Sequence, residues 1–497
     1  MWLLLLFVSS TLGLHTKEPP LPESASRNEV PERWIDVKLN HFDASNTETF
    51  RMRYYYNGQY STSTGSNIVI YVGGEWSISP SWVSAGLPYE LASYTNSGLF
   101  YTEHRYYGLT RPSSDTSIQN LRFLNVDQAL GDLAEFIEHV KSEQFEGGRF
   151  RNASVALMGC SYAGTMATWM RLAYPHLIDV VLSDSGPLHA KEDFPEYLEV
   201  ITEALRSQGS EACLNSISDA MTRLRDLLYT NEGAAQASSM FKTCAPLQAN
   251  ATLDLSTFFW YGITENFARL VQYAMPGDIT KACDVITDRS QPDPVQRLAN
   301  WITNVTGSCI EPRYTVVVTN HRNTSYDSPD ATMRLWTYQT CVEYGWYQTT
   351  TSSRQPFLTT VPLEYFHQMC KDFFSNDIDE ELLRSGIQRT NLFFGGLKRP
   401  DYVVSVAGGI DPWSPMGPNM THSTPLSPVY VVSNSSHCRA VGPIASSESD
   451  EIRNVKFQVL NYMSYHMTGI PIMDASAHVA LLTPILLFAA LVLSITM

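Results

Sequence analysis

Apolar residues in this chain follow two rhythms. Asn67-Ile68-Val69-Ile70-Tyr71-Val72, Leu99-Phe100-Tyr101-Thr102, Val155-Ala156-Leu157-Met158, Val180-Val181-Leu182, Tyr402-Val403-Val404-Ser405-Val406 and Val429-Tyr430-Val431-Val432 are short runs, apolar nearly throughout. They do not alternate with polar residues, so they predict strands covered on both faces. Between the second and third, Val126, Leu130, Leu133, Ala134, Ile137 and Val140 recur at helical spacing. Apolar strands alternating with helical periods argue for an α/β domain with a mostly parallel sheet, which this pattern starts at Asn67. From about His189 to residue 330 the rhythm changes. That stretch carries Cys213, Cys244, Cys283 and Cys309, helical patterns such as Met221-Leu224-Leu228, and one strand-like run, Thr315-Val316-Val317-Val318. It predicts a largely helical insertion (189–330) stapled by disulfides, inside a domain made of 30–188 and 331–470.

The ends set the compartment. Met1-Trp2-Leu3-Leu4-Leu5-Leu6-Phe7-Val8, followed by small and polar residues, reads as a signal peptide over 1–16. Residues 475–497 form an apolar tail with no Lys or Arg beyond Lys456. Small residues Ala475, Ser476 and Ala477 precede it, a pattern that resembles a glycolipid-anchor signal, with a single membrane span as the alternative. Acceptor sequons begin at Asn152, Asn250, Asn304, Asn323, Asn419 and Asn434. The expected route is the secretory pathway, to the cell surface or medium, with a lysosomal destination as the alternative. The 497 residues hold 8 cysteines without a Cys-x-x-Cys pair, which favours disulfides over zinc or dithiol chemistry. Hydrophobic residues make up 44% and charged ones 17%, enough for a large core. With 34 Lys+Arg against 50 Asp+Glu, the net charge of −16 repels phosphate backbones and argues against nucleic acid.

The candidate chemistry starts at Gly159-Cys160-Ser161-Tyr162-Ala163-Gly164, between a predicted strand and helix. A nucleophile on such a turn sits in a strained backbone, so its neighbours two before and two after must be small. Gly159 and Ala163 meet that need. A serine hydroxyl requires a base, and the base an orienting acid, each following a late strand. Asp411, after Val403–Val406, and His437, after Val429–Val432, fill those positions. The long gap from Ser161 to Asp411 suits an inserted cap, and the short gap to His437 suits adjacent strands. The oxyanion would be met by the Tyr162 N–H and by one from Gly73-Gly74-Glu75, with Gly74 or Glu75 as donor. His104, His176 and His189 read as surface or packing residues. Cys160 and Cys438 flank the nucleophile and base; buried or disulfide-bonded roles are favoured over a reactive thiol, and a direct bridge would tie the two strands together. The other six cysteines leave their connectivity open.

Several blocks resemble the serine peptidase family that includes lysosomal Pro-Xaa carboxypeptidase, dipeptidyl-peptidase II and thymus-specific serine protease. They include Asn40-His41-Phe42-Asp43, Tyr71-Val72-Gly73-Gly74-Glu75, Glu103-His104-Arg105-Tyr106-Tyr107-Gly108, the nucleophile turn, Trp336 through Thr349, Gly408-Gly409-Ile410-Asp411-Pro412-Trp413 and Ser436-His437-Cys438. Ala163 is most similar to the thymus-type branch. The resemblance implies an α/β-hydrolase fold with a helical cap, a Ser161–Asp411–His437 triad, and hydrolysis of short peptides through an acyl-enzyme. It also implies cleavage often after proline, at acidic pH, with no metal and no cofactor. Trp413, Tyr338, Thr165 and Val441 are the expected substrate-pocket residues. Two departures stand out. Trp76 replaces a glycine after the oxyanion-loop Glu, and Thr165 and Val441 are smaller than the bulky residues that box a proline ring. Peptides are the expected partners, membrane contact is expected only through the tail or its lipid replacement, and a homodimer is an option. An esterase on the same fold, or an inactive binding protein, are the rival readings.

Overall fold

The computed structural model describes residues 18–21, 30–62 and 65–472. The expected signal peptide (1–16) and C-terminal tail (475–497) lie outside the described residues. Within them no helix is long and apolar enough to cross a membrane.

Eight strands make one sheet: β1 (Glu32–Lys38), β2 (Thr49–Asn57), β3 (Asn67–Val72), β4 (Ser97–Thr102), β5 (Val155–Cys160), β6 (Val180–Asp184), β9 (Val403–Gly408) and β10 (Val429–Val432). Their order is β1-β2-β4-β3-β5-β6-β9-β10. The β1–β2 and β2–β4 pairs are antiparallel and the rest parallel. β3, β4, β5, β6 and β9 are buried almost throughout, as expected for strands covered on both faces. The result is the α/β-hydrolase architecture. The helix Val126–Lys141 forms where its periodicity predicts, capped by the Asn125 side chain accepting from the Gln128 N–H.

Two parts of the sequence reading are corrected here. The sheet starts at Glu32, not Asn67. β1 carries exposed Glu32, Asp36 and Lys38, charges that protect an edge strand and hide it from an apolar-run criterion. The run Thr315–Val318 is part of a helix, Tyr314–His321, whose buried residues Tyr314, Val317, Val318 and His321 recur at helical spacing. Packing of that face overrides the strand preference of β-branched residues.

Between β6 and β9 the chain leaves the sheet. Two short strands, β7 (Lys191–Asp193) and β8 (Gly345–Tyr347), pair in parallel and close the base of the excursion. Its helices include Glu196–Ala204, Glu211–Leu227, Glu265–Gln272, Asp278–Thr287 and Pro294–Thr306, and helical structure continues past residue 330 through Ala331–Gln339 to Glu380–Phe394. Cys213–Cys283 and Cys244–Cys309 staple the excursion, and Cys341–Cys370 ties its return. All six sequon asparagines are exposed.

Candidate active site

β5 runs into Ser161, which has φ 57° and ψ −135°, and the helix Tyr162–Ala173 begins one residue later. This is the strained strand-to-helix turn that presents a nucleophile. Gly159 is required: a Cβ there would lie 2.3 Å from the Ala163 carbonyl oxygen. The Ser161 N–H donates to the Asp184 carbonyl at 2.9 Å.

Asp411 follows β9 and His437 follows β10. The loops meet because Gly409 lets them pass: a Cβ there would stand 2.1 Å from the Ser433 carbonyl oxygen. Both Asp411 carboxylate oxygens lie 2.9 Å from His437 Nδ1. One of them also accepts the Trp413 N–H at 3.0 Å. Asp411 is fully buried, so the pair is shielded from water. His437 Nε2 has no hydrogen-bond partner and borders a cavity of about 440 Å³ that Ser161 also lines. The disulfide Cys160–Cys438 joins the residue before Ser161 to the residue after His437, with Cα atoms 5.5 Å apart. With both sulfurs in that bond, Cys160, Cys438 and His437 offer no thiolate to a metal.

Sequence reasoning missed the end of β6. Ser185 Oγ accepts the Cys438 N–H at 3.0 Å, and Asp184 Oδ2 accepts the Val441 N–H at 2.9 Å. Together with the Ser161 bond, one strand end thus holds both the nucleophile turn and the histidine loop. Burial pushes the Asp184 carboxyl up to about 6, against the pull of the Val441 N–H and His437. The run Ser183-Asp184-Ser185, ending a predicted strand beside the nucleophile strand, was the available signal.

The excursion supplies a second missed residue, Gln272. Its carbonyl accepts the His437 N–H at 3.0 Å. Its side-chain oxygen accepts from the Trp413 indole at 3.1 Å and the Tyr197 hydroxyl at 2.7 Å, and its amide donates to the Tyr273 hydroxyl at 2.9 Å. Ser436 donates to the Ala274 carbonyl at 2.9 Å. His437 and the loop of Asp411 therefore hang partly on the inserted helix Glu265–Gln272, a link no local pattern announces.

The loop Gly73-Gly74-Glu75, where the sequence places an oxyanion donor, is anchored from behind. Glu103 accepts the Ile78 N–H at 3.1 Å, and the Trp76 indole donates to the Tyr101 hydroxyl at 2.8 Å. Trp76 and Glu75 line the cavity; Gly74 lies beneath the Trp76 ring. Tyr162 opens its helix, where N–H groups have no intrahelical acceptor, while its ring is buried among Trp336, Tyr344 and His104. Burial lowers the His104 imidazole to about 4, which fits a packing role.

The four expected pocket residues do not line this cavity. Thr165 is buried and donates its hydroxyl to the Pro187 carbonyl at 2.7 Å. Val441 is buried behind the histidine loop. Trp413 packs edge-on against Trp346 and Tyr197. Tyr338 lies against Phe374 and lines a separate groove with Phe42 and Arg389. Aromatic and buried positions are spent on packing the excursion against the sheet, so type alone did not identify the wall. The wall includes Trp82, Tyr273, Met275 and Arg439, and Pro19-Pro20-Leu21 from the N-terminal side. That short segment is held by Glu18 accepting the Ser79 N–H at 2.9 Å and by Pro19 accepting from the Trp82 indole at 3.1 Å. A larger groove, about 580 Å³, sits on the excursion among Glu199, Arg206 and Arg354, away from Ser161.

Residues 37–459 match the model of the family described as serine carboxypeptidase S28. The thymus-specific serine protease of Mus musculus is 30% identical over 85% of each chain. Its Homo sapiens counterpart is 28% identical over 84% of this chain and 83% of its own. The lysosomal Pro-X carboxypeptidase of Mus musculus is 25% identical over 81% of this chain and 83% of its own.

Proposed function

The chain belongs to the serine carboxypeptidase S28 family and is a serine-type peptidase, and from that premise we propose that it removes residues from short peptides through an acyl-enzyme on Ser161. In this reading Ser161 Oγ attacks the scissile carbonyl and gives its proton to His437 Nε2. The imidazolium passes that proton to the leaving amine, and water repeats the cycle to release the acyl group. Asp411 orients the ring and offsets its charge. The N–H groups of Tyr162 and of Glu75 or Gly74 receive the oxyanion.

The observation that carries the reading is the buried Asp411–His437 contact at 2.9 Å, with Nε2 unpartnered and His437 lining the same cavity as Ser161. Apo hydroxyl–imidazole contacts are often long and tighten only with substrate bound. A cavity of this size, walled in part by the chain's own Pro19–Leu21, favours short substrates over folded proteins. Prolyl preference has less support, since the expected proline box does not line the cavity. The relatives' names carry the route: a secretory or lysosomal destination suits an enzyme with four disulfides.

The test is turnover of a short-peptide library by the purified protein and by Ser161→Ala. Wild type should release product with a burst of the amine fragment, and the variant should fall by about 10⁴-fold or more while melting normally. Unchanged turnover in the variant would refute the assignment.

A further inference from the structure

Glu75 is a carboxylic acid with nowhere to send its proton. It is 2% exposed, it lines the same cavity as Ser161 and His437, and its Oε2 has no hydrogen-bond partner. Among the described residues no Lys, Arg or His forms an ion pair with it. Elsewhere this protein treats buried acids differently. Glu103 receives Arg53, the Thr110 hydroxyl and three backbone N–H groups, and Asp132 receives Arg105 and His41. Both are paired with an arginine, whereas Glu75 is not. Its neighbours are the Tyr107, Tyr162 and Tyr273 hydroxyls, which are neutral. Burial alone raises its carboxyl to about 8, so it is stored as the neutral acid below that pH.

A buried neutral acid is a hydrogen-bond donor, and leaving it unpaired is costly. The remaining charges on the cavity decide what it should meet. The Glu448 carboxylate is matched by Lys456 at 2.7 and 2.8 Å. The Arg439 guanidinium meets only Met275 sulfur at 3.1 Å and Glu448 at 3.9 Å. Lys456 takes up the Glu448 carboxylate, so among the described residues Arg439 is left as a wall cation with no carboxylate within hydrogen-bond distance. An anion brought by the ligand would satisfy Arg439 through space and accept the Glu75 proton. An ammonium would meet Arg439 as a like charge, and a Glu75 carboxyl that, among the described residues, no Lys, Arg or His pairs.

We propose that the Glu75 side chain is a specificity-determining group that donates its carboxyl proton to the C-terminal carboxylate of a bound peptide. The inference rests on the peptidase reading above and adds the end from which the substrate is recognised. Because the donor exists only while Glu75 is protonated, recognition weakens as pH rises through the ionisation of this group. His437, Arg439, Glu448 and the three tyrosines are the other titratable groups around it, and none of them replaces a lost donor at that position.

Binding to Ser161→Ala by calorimetry tests this without turnover. One peptide is compared as free acid, as C-terminal amide and as N-acetylated free acid. A charge-assisted hydrogen bond predicts roughly tenfold or tighter binding of the free acid over the amide at pH 6. N-acetylation should leave binding within about twofold. The advantage should shrink above pH 8. Adding Glu75→Gln, which keeps a donor that does not titrate, should preserve the discrimination through pH 9. Glu75→Ala should remove it, with thermal melting of both variants showing that they fold. Equal binding of acid and amide, loss of binding on N-acetylation, or unchanged discrimination in Glu75→Ala would overturn the proposal. Fluorophosphonate labelling separates the two claims: Ser161 labelled without end discrimination sinks the Glu75 role alone, and Ser161 unlabelled sinks the peptidase reading.

Discussion

The carboxyl edge of the sheet and the helical excursion build the same site by different means. At the sheet edge, β5, β6, β9 and β10 end side by side, so Ser161, Asp184, Asp411 and His437 arrive together once the strands pair. Register does the positioning, and a single disulfide, Cys160–Cys438, locks it. The excursion has no such scaffold. Its helices are held by Cys213–Cys283 and Cys244–Cys309 and by packing, and it reaches the chemistry through Gln272, the Ala274 carbonyl and the wall residues Tyr273 and Met275. The difference teaches that the sheet selects which atoms react, while the excursion sets how firmly the base is held and what the cavity accepts.

That division can be broken experimentally. Asp411→Asn should have the largest effect, since it removes the anion that orients His437. A fall in kcat of about 10⁴-fold with normal melting is expected, and a small effect would mean the sheet edge does not set the chemistry. Gln272→Ala should cost less. It removes the acceptor shared by the Trp413 and Tyr197 donors and loosens the histidine loop, so kcat should fall roughly 10- to 100-fold, corresponding to about 1–3 kcal/mol. Its KM should change less than its kcat, and Gln272→Glu, which keeps the acceptor, should recover part of the loss. An unaltered kcat would cut the excursion out of the account.

The disulfides sharpen the comparison. Replacing Cys160 and Cys438 by serine should destabilise the protein by about 2–5 kcal/mol and slow turnover together. Replacing Cys213 and Cys283 should lower stability by a similar amount and leave Ser161 labelling largely intact. Hydrogen exchange read on both variants would show whether the losses fall on different regions.

The last test concerns pH. Burial holds Glu343, between excursion and sheet, up at about 7, and Asp184 at about 6. In the unfolded chain such carboxyls ionise near pH 4. Over the interval between, the folded protein retains protons that the unfolded chain has lost, so rising pH favours unfolding. Stability from these groups is greatest at acid pH and declines from about pH 4 to 7, by on the order of 1 kcal/mol per group per pH unit within its window. Melting scans from pH 5 to 8 should show a falling Tm, and Glu343→Gln should flatten the fall. A Tm rising over that range would contradict it.

Much of the sheet was legible because strands buried on both faces write themselves as unbroken apolar runs, as in Ile68–Val72. Ser161, Asp411 and His437, which we propose as the triad, were legible because each follows such a run. The edge strand β1 was not, since its charges answer to solvent and not to the core. The helix Tyr314–His321 was misread because four β-branched residues look like a strand until tertiary contacts select a helical face. The wall residues Tyr273 and Arg439, and the role of Gln272, depend on how the excursion folds back over the sheet. Nothing local in the sequence encodes that return.

The most direct measurement of the central claim is fluorophosphonate labelling followed by peptide mapping at pH 6. One phosphonyl group per chain is expected, on Ser161, with labelling slowed at least about 100-fold in His437→Ala. A label on another residue, or a rate indifferent to His437, would contradict the assignment of nucleophile and base.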